Sequence, residues 1–572
     1  MSQATLSETT PFTSDSLSSI QKDAYDILII GTGATGLVAA LRAHFNGLRP
    51  LLIEKSTHLG GASAISGGAV WIPNNHLSQR AGVKDSISNA FKYLETIIGD
   101  DVGPASSRER KMAFLTEGPK MVKWLEEVGF KWIHSTEYPD YYVEREGGAV
   151  GRTIEGKVFD LKELGDWEDL MLKRKMARPF AMYTHEYPFL VTFKRTWETF
   201  GMFLLMIFRT LFWRLLGQWP VTLGMSLMAQ LLLLVKLRGI PVWNECPMVK
   251  LHIEDDKVTG VVVKKDGVET LISANRGVLL CSGGFAKNAA MRQRYTRGPA
   301  SDKWTAVPDG DMGDAIHAGQ AVGGAVALLD QAWWGPTFVH PESGEKHFAL
   351  IERSLPHSII VDSHGKRFMN ESQSYVDCGH TQYQRHETVP AIPAWLIFDS
   401  QHRNKYMLGK YPPGKTPLDA FTSGLITKGA TISELAGKIK ISAEGLSSTV
   451  QRFNAMAALG KDEDFHRGDY VYDRYFGDRS STPNPNLGPL VEAPFFAIQV
   501  WPGDLGTKGG LMTDEHARVL REDGTPIEGL YAAGNCSVSV MGRTYPGAGG
   551  TLGPAMVFAF TAMDHVAGVP EI

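Results

Sequence analysis

The sequence predicts an α/β protein in which one domain is assembled from discontinuous segments, with an α+β second domain and an apolar insertion. Three observations carry this prediction. The short apolar run Tyr25-Asp26-Ile27-Leu28-Ile29-Ile30 ends in glycines and is followed by helical periodicity over 37–43. Similar strand-to-glycine junctions return near 276–285 and 529–535, far away in the chain. Between 160 and 238 lies a stretch of aromatic, aliphatic and basic residues unlike its neighbours.

At 572 residues the chain exceeds the length at which one hydrophobic core stops growing, so more than one domain is expected. A net charge of -4 offers no positive field for nucleic acid. Cys246, Cys281, Cys378 and Cys536 are scattered, without a CxxC pair or histidines at ligand spacing, so no metal site is expected and a reducing cytosol is. Residues 1–23 are rich in Ser and Thr, lack an apolar core and read as a disordered leader.

The first strand runs into Gly31-Thr32-Gly33-Ala34-Thr35-Gly36 and then a helix; a second strand, Pro50 to Ile53, ends at Glu54. Each glycine has its own reason: a tight turn, close approach to a pyrophosphate, and close packing of helix on strand. The phosphates lie at a helix N-terminus, where unpaired amides and the helix dipole favour an anion. Glu54, 18 residues after Gly36, stands where an acid accepts hydrogen bonds from an adenosine ribose. This is a Rossmann-like dinucleotide site, over 24–160. The strand Val258 to Val263 pairs with Thr270 to Ile272, the strand Val278 to Leu280 runs into Gly283, and both are expected to return to the first sheet within 222–330. The segment 331–490, mixed and more polar, is the second domain, and 491–572 closes the first through the strand before Gly534-Asn535 and a helix starting near Thr551.

The insertion, 161–221, carries an uncharged run from Leu215 to Val235 that reaches membrane-spanning length. Glycines, glutamines and Pro220 interrupt it, and a span would place flanking sheet segments on opposite sides of a bilayer. The expectation is therefore a monotopic helix within about 165–215, its Phe, Trp and Leu entering the headgroup boundary on the cytoplasmic side of the inner membrane. Lys173, Arg174, Lys175, Arg178, Lys194, Arg195, Arg209 and Arg214 are expected to meet anionic lipid. The following helix, Thr222 to Leu237, belongs with the sheet domain because it leads into the strand at Val242.

Gly60-Gly61-Ala62-Ser63-Ala64-Ile65-Ser66-Gly67-Gly68 resembles the loop that wraps FAD in the flavoproteins of the fumarate reductase and succinate dehydrogenase family. The resemblance implies non-covalent FAD, with Lys55, Gly61, Ala62, Ser63, Ser66, Gly67, Gly68, Gly283, Gly534, Asn535, Gly550, Thr551 and Leu552 joining Gly31, Gly33, Ala34, Thr35, Gly36 and Glu54. No second fingerprint is present, so no nicotinamide is expected.

A closer resemblance rests on Gly503-Asp504-Leu505-Gly506-Thr507-Lys508-Gly509-Gly510, on Met541-Gly542-Arg543-Thr544-Tyr545-Pro546-Gly547-Ala548-Gly549-Gly550-Thr551-Leu552-Gly553-Pro554, on Ala332 to Pro336, Gly365 to Ser372 and Asn484 to Gly488. These stretches are similar to the 3-ketosteroid Δ1-dehydrogenases, over nearly the whole chain except the leader and 160–220. The family removes a proton from carbon 2 and a hydride from carbon 1 of a steroid A-ring, in steroid degradation. A proton beside a ketone leaves only if the developing enolate oxygen is stabilised, so two donors and one base are required. The resemblance assigns the donors to Tyr545 and the Gly549 amide, the base to Tyr383 with Tyr375 as its nearest rival, and assistance to Tyr141, with Tyr142 the alternative. Arg543 departs from the family's pattern, where His is expected.

Other readings are a relative acting on carbons 4 and 5, a fumarate reductase, which needs a cluster of Arg and His not found here, and a carrier without catalysis. With no nicotinamide motif, a quinone is the expected electron acceptor.

Overall fold

The computed structural model describes residues 25–173 and 180–570; the leader and Arg174, Lys175 and Arg178 lie outside the described residues. β1 (Ile27–Ile30), α1 (Ala34–Phe45) and β2 (Pro50–Ile53) form the expected βαβ unit, with β1 and β2 parallel and buried throughout. Gly31 turns the chain at φ +115°, and a Cβ there would lie 2.6 Å from the Cys281 carbonyl oxygen, so only glycine fits. α2 (Gly61–Ile65) and β3 (Ala69–Trp71) follow.

The insertion contains α3 (Trp197–Leu215), capped by Thr196, whose hydroxyl accepts from the Thr199 amide at 3.1 Å. α3 buries only Thr199, Met206 and Thr210, a narrow stripe facing Met182 and Leu190. Its other faces are open: Trp197 is 89%, Phe208 66% and Leu215 86% exposed. Gly217, at φ +76°, then interrupts the apolar run, and α4 (Leu223–Leu237) begins a separate, largely buried and mostly apolar helix that packs against α1 and α2. Among the described residues no helix is long and apolar enough to cross a membrane. Part of the expected basic face is also corrected. Arg195 pairs with buried Asp478 at 2.6 Å and Arg209 with buried Glu186 at 2.5 Å, so these two cations are occupied inside the protein, while Lys173 pairs with Glu168 at 3.2 Å on the surface.

α4 delivers β4 (Val242–Trp243) to β2. β5 (Met248–Glu254), β6 (Lys257–Lys265) and β7 (Val268–Ser273) make an antiparallel sheet of their own. The hairpin therefore does not return to the first sheet, whose positions beside β1 are taken by β2 and by β8 (Val278–Leu280).

β9 (Ala332–Val339), β10 (Ser358–Val361) and β11 (Ala394–Phe398) belong to the second, antiparallel sheet, α5 (Tyr375–His386) packs against β9, and β12 (Phe495–Thr507) is the sheet's longest strand, pairing with β9 and β11. That sheet thus runs past the expected boundary at 490, because β12 spans both of its halves. β13 (Arg518–Leu520) and β14 (Pro526–Ala532) complete the first sheet, in the order β13-β14-β8-β1-β2-β4, parallel except at the β13 edge. α6 (Leu552–Ala567) closes the fold by packing along α1, fastened by the Arg42–Asp564 ion pair at 2.6 Å.

Candidate active site

Four parts of the chain converge beside the N-termini of α1 and α6. Ala34 donates its amide to the Ser63 hydroxyl at 3.1 Å, joining the first glycine loop to the second. A Cβ on Gly534 would lie 3.0 Å from the Thr35 hydroxyl and 3.8 Å from the Ala555 Cβ, so both helix starts border the turn after β14. Asn535 accepts from the Trp333 indole at 3.1 Å. The amides of Thr35, Gly36, Thr551 and Leu552 donate to no other described residue, and neither helix has a side-chain cap. Two uncapped helix starts along one run of glycine-rich backbone fit a long, diphosphate-containing cofactor, with phosphate at one and an electron-rich ring at the other.

The other expected cofactor residues differ in how free they are. Glu54 already binds the loop, accepting from the Thr32 amide at 3.1 Å and its hydroxyl at 2.7 Å. Lys55 is held by Asp314 at 2.5 Å. Ser66 bonds the Ser63 carbonyl at 2.7 Å and accepts from the Gly68 amide at 3.0 Å, shaping Gly61 to Gly68 from within, while Gly67 accepts from the Thr184 hydroxyl. Gly283 faces the Asp311 carboxylate, and Gly550 closes a turn on Gly547.

Beyond α6 lies a nest of aromatic rings. Tyr545 stacks on Tyr141 with centroids 5.2 Å apart and planes at 14°, and Tyr375 lies 5.2 Å from Tyr545 and 5.3 Å from Tyr141. Trp333 meets Tyr545 edge-on at 4.9 Å. The Tyr141 hydroxyl donates to the Tyr375 hydroxyl at 3.4 Å, and Thr551 donates to the Tyr545 hydroxyl at 3.3 Å. The backbone fixes this grouping: the Tyr141 amide donates to the Pro546 carbonyl at 2.9 Å, and the Tyr93 hydroxyl to the same oxygen at 2.7 Å. Gly549, at φ +97°, presses on β3, where a Cβ would lie 2.5 Å from the Ala69–Val70 backbone. Its amide donates to no other described residue and is available to a ligand.

Tyr383 is not in this group. It lies two turns beyond Tyr375 on α5, about 12 Å along the axis. Its ring packs on Trp334 at 4.9 Å, and its hydroxyl donates to the Pro299 carbonyl at 3.1 Å. A carbonyl acceptor favours the protonated phenol, as does burial, which pushes the Tyr383 hydroxyl up. Burial and the neighbouring Tyr545 push Tyr375 well up, and there the Tyr141 hydroxyl opposes them by donating to the Tyr375 oxygen. Tyr142 points elsewhere, donating to Asp377 at 3.0 Å, whose carboxyl burial raises to about 6.

Residues that sequence reasoning did not single out complete the surroundings. Tyr472 packs on Tyr141 at 4.6 Å. Lys508, buried, donates to the Thr544 carbonyl at 2.7 Å with its ammonium 4.2 Å from the Trp333 ring centre, and desolvation drives its pKa well down. Arg543, which the sequence did mark as a departure from the family's pattern, pairs with Asp101 at 3.1 Å and Asp330 at 3.2 Å. Trp333 and Lys508 lay within the quoted signature stretches, but nothing in their spacing told of their orientation.

A family model for an FAD binding domain matches residues 26–552. The 3-oxosteroid 1-dehydrogenase of Mycolicibacterium smegmatis is 43% identical over 95% of this chain and 97% of its own. The chain belongs to the FAD-dependent 3-oxosteroid 1-dehydrogenase family. A solved relative, the 3-ketosteroid Δ1-dehydrogenase of Sterolibacterium denitrificans in complex with 1,4-androstadiene-3,17-dione, matches with a TM-score of 0.89 at 37% identity, covering 96% of this chain and 100% of that one. The 4-oxocyclohexanecarboxylate 2-dehydrogenase of Sinomonas cyclohexanicum is 35% identical over 96% of this chain and 93% of its own. As a 3-oxosteroid 1-dehydrogenase family member the chain uses FAD, and the uncapped helix starts described above suit that cofactor.

Proposed function

We propose that the protein desaturates carbons 1 and 2 of the A-ring of 3-ketosteroids, with Tyr375, rather than Tyr383, taking the carbon-2 proton. The observation that carries this is the Tyr141-to-Tyr375 hydroxyl contact at 3.4 Å, made directly beside Tyr545. The ketone oxygen lies between the Tyr545 hydroxyl and the free Gly549 amide, and each such donor contributes about 2.7–4 kcal/mol as negative charge builds there. Tyr375 acts as the phenolate, its own proton having been released to solvent before the steroid binds; it takes the carbon-2 proton as that charge forms and ends as the phenol, and Tyr141, donating to its oxygen, stabilises the phenolate. Bound FAD supplies the hydride acceptor, flavin N5. The apolar ring nest excludes water, which strengthens each of these hydrogen bonds. The assay is production of the 1,4-diene from androst-4-ene-3,17-dione with a dye acceptor, in parallel with 4-oxocyclohexanecarboxylate. Turnover of the small ketone alone would reassign the substrate.

For the electrons we propose a quinone acceptor and a membrane-surface location on the cytoplasmic side. The support is the open face of α3, where Trp197, Phe200, Leu204, Phe208, Leu211 and Leu215 project outward. Covering an apolar side chain is favourable by about 1.5–3 kcal/mol when burial is complete, so a half-buried stripe of this length has a strong drive to enter a headgroup boundary. Arg214, over the Trp219 ring at 5.4 Å, remains at the end of that face to meet anionic lipid. Reoxidation of the reduced holoenzyme by a short-chain quinone tests the acceptor.

A further inference from the structure

Arg110 is among the most buried side chains of the protein, 2% exposed, yet no carboxylate lies within ion-pairing distance of it among the described residues. Its guanidinium donates to two carbonyls, those of Ala105 and of Val538, the latter at 3.0 Å. Its Nε has no acceptor. The nearest acids, Asp514 and Glu515, act on it only from a distance, and desolvation brings its pKa down to about 10. A buried cation without a counter-charge costs several kcal/mol, and two carbonyl dipoles offset only part of that.

The side chain borders a small, partly open cavity with room of about 20 Å³. Gly534, Asn535, Thr551 and Trp333 line it too. Trp333 and Thr551 are the same residues that touch Tyr545, and Gly534 borders Thr35, so this pocket lies along the cofactor run between the first glycine loop and the tyrosines. The charge that changes along that run is the one the flavin ring acquires on reduction.

We infer that Arg110 is the fixed counter-charge for the reduced flavin ring, acting across this cavity together with the N-terminus of α6. This rests on FAD binding and not on the steroid assignment. A cation placed there favours the reduced, anionic ring over the oxidised, neutral one and so raises the flavin potential. Arg110 is therefore a tuning residue for the cofactor and takes no part in proton transfer.

The test is the flavin midpoint potential of the holoenzyme, measured spectroelectrochemically without steroid. Arg110→Gln keeps a donor for the Ala105 and Val538 carbonyls but removes the charge, and Arg110→Lys keeps the charge but loses the fork. The expected result is a potential shifted negative in R110Q and returned most of the way in R110K. An unchanged potential in R110Q overturns the inference, and so does an equal shift in both variants, which would assign Arg110 to holding carbonyls alone. Should R110Q not accumulate as holoenzyme, Arg110→His makes the comparison within one protein. Its potential relative to wild type must fall between mildly acidic and alkaline pH, and a constant difference overturns the inference.

Discussion

The Tyr141 hydroxyl donates to the Tyr375 hydroxyl at 3.4 Å, and both rings pack on Tyr545. A phenol that must act as a base needs a donor to its oxygen, and Tyr375 has one where Tyr383 has an acceptor instead.

Tyr545→Phe removes one of the two proposed donors to the ketone oxygen. The expected loss in kcat is about 10²–10³-fold, with FAD retained and little change in melting temperature, because the ring and its stacking on Tyr141 remain. Steady-state kinetics with androst-4-ene-3,17-dione checks it; a variant within a factor of a few of wild type places the ketone elsewhere.

Tyr141→Phe and Tyr142→Phe separate two adjacent tyrosines with different partners. Losing a hydrogen bond to a developing phenolate costs about 1.5–3 kcal/mol, about a 10–100-fold drop in kcat for Y141F. Y142F loses the bond to Asp377, behind the cluster, and is expected to reduce kcat much less. The reverse order would show that Tyr142 is the assisting residue.

How much was legible in the sequence depended on whether a residue's neighbours were local. The glycine loop, the βαβ unit and the helix at Thr551 follow from periodicity and turn chemistry over a few residues. Tyr375 and Tyr383 share one helix, and which of them meets Tyr141 depends on how α5 docks, a long-range packing that no local pattern records. Arg195 and Arg209 read as a lipid-facing set because their partners Asp478 and Glu186 are supplied by tertiary contacts. The isolation of Arg110 is likewise a property of burial and invisible in composition.

Glu155 gives a pH prediction. Buried on β-structure beside β3, it accepts from the Thr184 amide and hydroxyl and from Ser135, and burial raises its pKa to about 7. Because its folded pKa exceeds the unfolded value, the folded state holds the proton longer. Stability is fully present below about 4.5 and is lost as pH rises to about 7. Glu155→Gln should therefore lose less melting temperature than wild type between pH 5 and 8, followed by thermal release of FAD fluorescence. Parallel curves for the two proteins would contradict this.

The open face of α3 predicts binding to vesicles. Replacing Trp197, Phe208 and Leu215 by Asp, all of them exposed, should leave FAD content and turnover intact while abolishing flotation with anionic liposomes. Flotation equal to wild type would exclude α3 as the contact.

The central claim is that Tyr375 takes the carbon-2 proton. Its most direct test is anaerobic stopped-flow bleaching of the flavin on mixing with androst-4-ene-3,17-dione, for wild type, Tyr375→Phe and Tyr383→Phe. Bleaching is expected in Y383F near the wild-type rate and in Y375F slower by about 10²–10⁴-fold, the usual contribution of a positioned base, with FAD bound in both. Wild-type bleaching in Y375F, with loss in Y383F, would contradict it.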